Sequence, residues 1–299
     1  MTVVIKVGGA RAVDPAGALA DVASLVADGE RVVVVHGGST KVDETLERLG
    51  VEPEYVETPS GVVGRFTDET TMEVFEMAFG HLNTQLVAGL QSEGVDAVGL
   101  NGVDGKLLYG PRKSAVRVVE DGKKKIRRGD HSGTIKQVNG DLLETLLDDG
   151  YTPVAAPPMA GSEARSASED SSGDEPREQI IPVNTDADRS AAAIAAELGA
   201  QLVLLTDVEG VYADPDDPST LIESVETAAD WDALEAAAEG FMGRKTMAAE
   251  EALDGGAPEV VVADANADEP ILSALDGGGT HVHASALEQD TDQTATEEQ

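Results

Sequence analysis

Arg31-Val32-Val33-Val34-Val35-His36-Gly37-Gly38-Ser39 decides the fold class. Four successive valines leave no polar side, as a strand covered on both faces requires. The glycines then open a helical pattern, Ser39–Leu49. Other short aliphatic runs of this kind are Thr2–Val7, Ala97–Leu100, Pro153–Ala156, Leu202–Thr206 and Glu259–Val262. Helical patterns lie between them at Asp14–Ala27, Asp68–Gln91, Gly140–Asp149, Asp186–Leu198, Asp230–Ala238 and Arg244–Leu253. Alternation of this kind defines an α/β fold with a mainly parallel sheet between helical layers.

Two regions break the alternation. Residues 104–136 read as hairpins, with Asp121-Gly122 as a turn signal. Residues 161–178 are rich in Ser, Glu and Asp and read as a mobile acidic loop. That loop divides an N-terminal lobe of about 1–160 from a C-terminal lobe of about 179–287, and 288–299 reads as a disordered acidic tail. Thr280-His281-Val282-His283 reads as a late edge strand. No third ligand accompanies its two histidines, so no metal site is assigned.

The 299 residues carry 57 Asp plus Glu against 21 Lys plus Arg, a formal net charge of −36. So acidic a surface repels nucleic acid, which needs a basic footprint. At ~1 M salt the Debye length falls to ~3 Å and the self-repulsion is screened, so the composition matches the cytoplasm of an extreme halophile. With no cysteine, disulfides and thiolate metal sites are excluded. No secretory leader pattern and no run near the ~20 apolar residues of a membrane span is present, so a cytoplasmic location is expected.

Three glycine turns follow expected strands: Gly8-Gly9, Gly37-Gly38, and the turn within Thr206-Asp207-Val208-Glu209-Gly210-Val211-Tyr212. Ligands of open α/β sheets gather at the carboxyl ends of strands, where glycines let backbone N–H groups approach anionic oxygens. Neither G-x-x-x-x-G-K-[ST] nor G-x-G-x-x-G is present, so this is neither a P-loop nor a Rossmann protein. Lys6 ends the first strand. Lys245, in Phe241-Met242-Gly243-Arg244-Lys245, is the only lysine after Lys136. Asn184-Thr185-Asp186-Ala187-Asp188 opens a helix, and on spacing alone it is either a cap or part of a site. Arg65, in a glycine-flanked loop, suits a bidentate grip on a carboxylate, or else pairs with Asp68 or Glu69.

Taken in order, Val-Ile-Lys-Val-Gly-Gly, His36-Gly37-Gly38, the Arg65 loop, Asn184–Asp188, Leu205-Thr206-Asp207-Val208-x-Gly-Val-Tyr and Met242-x-x-Lys245 resemble the amino-acid kinase superfamily. The pattern is similar to acetylglutamate kinases over residues 1–287. Ser60–Met77 and Arg127–Gly133 are similar to a branch that phosphorylates glutamate or 2-aminoadipate borne on a small acidic amino-group carrier protein, LysW. The resemblance implies a three-layer carbamate-kinase-like sandwich and a homodimer. It implies ATP as co-substrate, with Mg²⁺ bridging its phosphates, in arginine or lysine biosynthesis. Lys6 and Lys245 would stabilise the transition state, with Asp188 orienting both. Gly37, Gly38, Arg65 and Asn184 would hold the acceptor; Gly8, Gly9, Thr206, Asp207, Gly210 and Tyr212 would meet the nucleotide. Ser39 stands where a third glycine is commoner. An N-acetylglutamate kinase acting on the free amino acid and a non-catalytic nucleotide-sensing subunit are the alternative readings.

Arg112, Lys113, Arg117, Lys123, Lys124, Lys125, Arg127 and Arg128 are eight of the 21 basic residues. A cationic hairpin in so acidic a chain is either a solvated hairpin whose charges balance its neighbours or a dock for an acidic protein. Lys123, Lys124, Lys125, Arg127 and Arg128 are the expected docking residues.

Overall fold

The computed structural model describes residues 1–8, 15–59, 61, 63–120, 122–164, 178–238 and 241–287. In chain order the elements are β1 (Thr2–Val7), α1 (Pro15–Ala27), β2 (Arg31–His36), α2 (Ser39–Arg48), β3 (Tyr55–Glu57), β4 (Val63–Arg65) and α3 (Glu69–Ser92). Then come β5 (Ala97–Gly102), β6 (Leu108–Glu120), β7 (Lys123–Gly133), β8 (Gln137–Val138), α4 (Gly140–Asp148), β9 (Thr152–Ala164) and β10 (Glu178–Val183). The last part holds α5 (Ala187–Leu198), β11 (Gln201–Thr206), β12 (Ser224–Val225), α6 (Ala228–Ala237), α7 (Phe241–Asp254), β13 (Glu259–Asp264), α8 (Pro270–Leu275) and β14 (Thr280–His283).

The main sheet runs β12-β14-β13-β11-β1-β2-β9-β6-β7. The strands β13, β11, β1, β2 and the first half of β9 are mutually parallel. Their carboxyl ends therefore share one edge, where Lys6, His36, Ala156, Thr206 and Asp264 lie.

Alternation along each strand sorts side chains onto two faces. Val4, Val33, Val35, Leu202, Leu204, Val260 and Val262 pack with Ala191, Ala192 and Ala195 of α5 and Ala248, Ala249 and Ala252 of α7. Val3, Ile5, Val7, Val32, Val34, Val203 and Leu205 pack with Ala18, Val22 and Leu25 of α1, Leu90 of α3 and Ile271 of α8. This is the expected three-layer sandwich. Burying such side chains stabilises the fold by ~1.5–3 kcal/mol each for the larger ones. Alanine facing alanine lets α5 and α7 lie close, and a Cβ on Gly255 would stand 2.5 Å from Ala196.

The helix ends follow from local chemistry. The Asp186 side chain accepts from the N–H groups of Asp188 and Arg189, and α5 ends on Gly199 at φ 55°, a left-handed conformation that glycine adopts without steric cost. Asp68 caps α3 through Thr71 N–H. Thr227 and Asp230 cap α6 reciprocally. The N-terminus of α8 is different: the buried Asp21 of α1 accepts from Ile271 N–H at 2.7 Å and Leu272 N–H at 3.2 Å.

Two expectations need correction. Gly161–Ala164 and Glu178 belong to paired strands, because β9 and β10 form an antiparallel ladder from Ala164↔Glu178 to Met159↔Val183. The rest of the expected loop, 165–177, and the tail, 288–299, lie outside the described residues. Nor is β14 an edge strand: it sits between β13 and the two-residue β12. His281 there contacts Glu259 at 2.7 Å.

Candidate active site

Lys6 continues the even-numbered series of β1, so strand alternation aims it at the layer of α5 and α7. Its Nζ lies 2.7 Å from Asp188 Oδ1. From α7, Lys245 Nζ lies 3.3 Å from Asp188 Oδ2. One carboxylate thus holds two ammonium groups that are 239 residues apart in sequence (245 − 6). All three side chains are about nine-tenths buried. The Lys6 contact is the shorter of the two, and both coulombic attraction and hydrogen bonding from Lys6 favour the Asp188 carboxylate. Since Asp186 caps α5, Asp188 is free to serve the lysines.

The electrostatics follow from that triad. Burial alone would raise the Asp188 carboxyl, but the Lys6 and Lys245 ammoniums outweigh it and hold the group below its ordinary value. Lys245 is pushed down by burial and by Lys6, against the pull of Asp188. The result is a cationic centre inside an acidic protein, placed where the strands end. In so dry a site, charge stabilises a developing anion far better than it would in water.

Beside it, β2 delivers His36-Gly37-Gly38. His36 faces the other helical layer: it stacks on Phe79 with centroids 5.7 Å apart and meets Asn83 Nδ2 at 3.2 Å. Burial lowers its pKa to about 4, with Lys6 adding to the effect, so it is neutral at pH 7. Gly37 N–H donates to Val7 O at 3.2 Å. A Cβ on Gly38 would stand 2.7 Å from Leu82 Cδ1 and 3.0 Å from the Phe79 ring, so close packing against α3 favours glycine there.

Arg65 pairs with neither Asp68 nor Glu69 but with Asp43 of α2, through Nη2 at 2.7 Å and Nε at 3.2 Å. Its Nη2 also donates to Ser39 O, Ser39 Oγ and Tyr55 Oη, and Tyr55 Oη donates to Asp43 at 2.8 Å. Ser39, in the place of a third glycine, therefore gives Arg65 a hydroxyl partner. Asp43 was missed from sequence, although its signal is present: Ser39 and Asp43 stand four apart and share a helix face. Asn184 Nδ2 donates to Thr67 Oγ1 at 2.9 Å, and its backbone pairs with His131 and Gly133. Thr67 was missed as well, since nothing in its local sequence marks a partner 117 residues away.

On the nucleotide side of the expectation, Gly8 directly follows β1 and Thr206 ends the neighbouring strand β11. Asp207 Oδ1 lies 3.2 Å from Thr206 Oγ1. A Cβ on Gly210 would stand 2.5 Å from Thr280 Oγ1, so this glycine serves a close approach to β14. Tyr212 Oη donates to Glu209 at 3.1 Å and Tyr212 bridges to Leu221. Gly9 lies outside the described residues. Among the described residues no group of three or more His, Cys, Asp or Glu is arranged to hold a metal ion, and no helix is long and apolar enough to cross a membrane.

The basic residues lie on the β6–β7 ladder. From the register Ala115↔Arg128 to Glu120↔Lys123, Arg117, Lys124 and Arg128 share one face with Ile126, which is 67% exposed. Lys123, Lys125 and Arg127 share the other with the buried Val118. Lys125 pairs with Glu120 at 2.8 Å and Arg127 with Glu54.

A parallel sheet with two lysines closing on one aspartate at its carboxyl edge defines a class, and the comparisons agree on it. The chain belongs to the amino acid kinase family, whose model matches residues 1–264. It is similar to the LysW-aminoadipate kinase of Thermus thermophilus, 42% identical over 94% of this chain and 99% of the relative. It is also similar to the LysW-aminoadipate/LysW-glutamate kinase of Saccharolobus solfataricus, 32% identical over 84% of this chain and 88% of the relative. The acetylglutamate kinase of Methanopyrus kandleri is 39% identical over 93% of this chain and 99% of its own length. Among solved structures, N-acetylglutamate synthase from Neisseria gonorrhoeae superimposes with TM-score 0.72 at 25% identity, covering 94% of this chain and 59% of that longer one. Giardia carbamate kinase shares the fold with TM-score 0.63 at 16% identity, covering 94% of this chain and 98% of that one.

Proposed function

We propose that the protein transfers the γ-phosphoryl group of ATP to the side-chain carboxylate of glutamate or 2-aminoadipate carried on the acidic protein LysW, in lysine or arginine biosynthesis. The observation that carries this reading is the buried Lys6–Asp188–Lys245 triad at the carboxyl edge of the sheet. Its support for the acceptor is the likeness to the LysW-dependent kinases.

The chemistry suits these residues. A carboxylate is already a nucleophile at neutral pH and needs no general base. Its oxygen attacks the γ-phosphorus, the bond from that phosphorus to the β,γ-bridging oxygen breaks, and ADP leaves. The difficulty is the meeting of two anions, so catalysis is positioning and charge stabilisation. Lys6 and Lys245 supply the charge, and Asp188 keeps the two ammoniums in place throughout the transfer. Mg²⁺, held chiefly by phosphate oxygens, would neutralise further charge on the nucleotide. Gly8, Gly9, Thr206, Asp207, Gly210 and Tyr212 form the nucleotide side in this reading. Gly37, Gly38, Arg65 and Asn184 form the acceptor side.

The carrier docks on the β6–β7 ladder, first of all on the outward face of Arg117, Lys124 and Arg128. No partner for these three is present among the described residues. In a halophilic cytoplasm the docking rests on close contacts, because steering is screened beyond ~3 Å at ~1 M salt. The test is an ATP-dependent acyl-phosphate assay, trapped as the hydroxamate, in high salt. LysW charged with glutamate or 2-aminoadipate should turn over, and free N-acetylglutamate should do so poorly. Equal or better turnover of N-acetylglutamate overturns the carrier reading. A Lys6→Ala variant that retains full activity overturns the catalytic one.

A further inference from the structure

The hairpin that carries Arg65 is anchored to α2, where Tyr55 and Arg65 both meet Asp43, and Arg244 donates to Val63 O. Its strands β3 and β4 are three residues each and stand apart from the main sheet. A two-stranded hairpin is marginal alone in water. The ladder closes through Phe66 N–H donating to Glu54 O at 2.9 Å, so Glu54 and Phe66 are the two ends of the hairpin. One side chain from outside touches both. Arg127 of β7 forks onto the Glu54 carboxylate, with Nη2 at 2.6 Å from Oε2 and Nη1 on Oε1. The same guanidinium lies over the Phe66 ring, 4.3 Å from its centroid, and Phe66 is buried. Lysine could not reproduce this, since only the planar fork both pairs bidentately and stacks.

We propose that Arg127 is a positioning residue that clamps both ends of the β3–β4 hairpin and so fixes Arg65 for the acceptor. This deepens the function proposed above and rests on Arg65 facing the acceptor. It gives Arg127 a task different from that of its basic neighbours. Arg117, Lys124 and Arg128 point to the open face, whereas Arg127 is turned inward and engaged. The next residue along the clamped strand points the same way: Thr67 O accepts from His131 N–H of β7 at 2.7 Å, and Thr67 Oγ1 accepts from Asn184. The β7 strand thus braces the Arg65–Thr67 segment at consecutive residues.

The clamp and a docking role predict opposite results for Glu54→Gln. If Arg127 docks an acidic carrier, removing Glu54 frees a cation and lowers the carrier KM. If Arg127 clamps, Glu54→Gln and Arg127→Gln both raise the acceptor KM, about tenfold as expected for a lost charged hydrogen-bond pair, and leave the ATP KM unchanged. Arg127→Lys, which keeps the charge, should behave like Arg127→Gln. The double variant should be no worse than either single one, since both remove one contact. Hydrogen exchange of the 54–66 amides gives a readout independent of the acceptor and of any activity: exchange should quicken in both single variants. Unchanged exchange, or a carrier KM that falls in Glu54→Gln, overturns the clamp. A wild-type protein without activity on carrier-linked acceptor, but with faster exchange in the variants, would instead sink the proposed function and leave the clamp standing.

Discussion

Replacing Asp188 by Asn keeps the shape of the side chain and removes the charge between two buried ammoniums. At the observed 2.7 and 3.3 Å, each contact is worth ~5–6 kcal/mol of Coulomb attraction at an effective dielectric of ~20. Desolvation offsets much of that, and breaking a buried pair from one side costs ~3–5 kcal/mol net. For a large domain this lowers Tm by roughly 6–20 °C, measurable by calorimetry. The loss of activity should exceed the loss of folded protein, because Lys6 and Lys245 then repel each other and leave their places. We expect kcat to fall by ~10²–10³ for a lost electrostatic arrangement of this kind. The pH profile supplies a second signature. Burial and Lys6 already push Lys245 down, and Asp188 is the group that opposes them. Without it the Lys245 ammonium loses its proton at lower pH, so the alkaline limb of the rate profile shifts toward neutrality. An Asp188→Asn enzyme with kcat within roughly threefold of wild type and an unmoved alkaline limb would overturn this role for Asp188.

His36 makes stability pH-dependent. Its pKa is lowered from 6.5 to about 4, so the unfolded chain binds the extra proton first. The contribution is whole above pH 6.5 and is lost as pH falls toward 4, to a total of roughly 3 kcal/mol; denaturant titrations of a His36→Gln variant should show a shallower fall over that window. Gly38→Ala should cost ~1–3 kcal/mol by overpacking, read as a lower Tm, because the Phe79 ring it would press on is stacked between His36 and Phe75. Neutralising Arg117, Lys124 and Arg128 together should raise the carrier KM while the ATP KM stays unchanged, in steady-state kinetics at fixed salt.

Much of the layout was legible because the physics is local. Successive valines mark doubly covered strands, and the strand alternation that buries Val4 also aims Lys6 at α5. The Asp186–Asp188 ambiguity could not be settled from spacing, because a cap and a site residue look alike two positions apart; the structure gives the cap to Asp186. The interior place of β14 was hidden because its outer neighbour, β12, is only two residues long. Helix α8 was missed because its cap is Asp21, 250 residues upstream. Thr67 and the Glu54–Arg127 pair were invisible for the same reason: each acts through a partner brought near by folding, whereas Asp43 left a trace in its four-residue spacing from Ser39. The basic hairpin was plain in composition, but its division into two faces depends on a register that shifts between Lys113 and Ala115.

In the proposed function Lys6 and Lys245 close on a phosphoryl group in transfer. The most direct measurement is a crystal structure with ADP and a planar fluoride mimic of that group. Both Nζ atoms should lie about 3 Å from the mimic's equatorial atoms, with Asp188 still bridging them. Either ammonium turned away from the mimic, in a closed complex with acceptor bound, would contradict the proposed function.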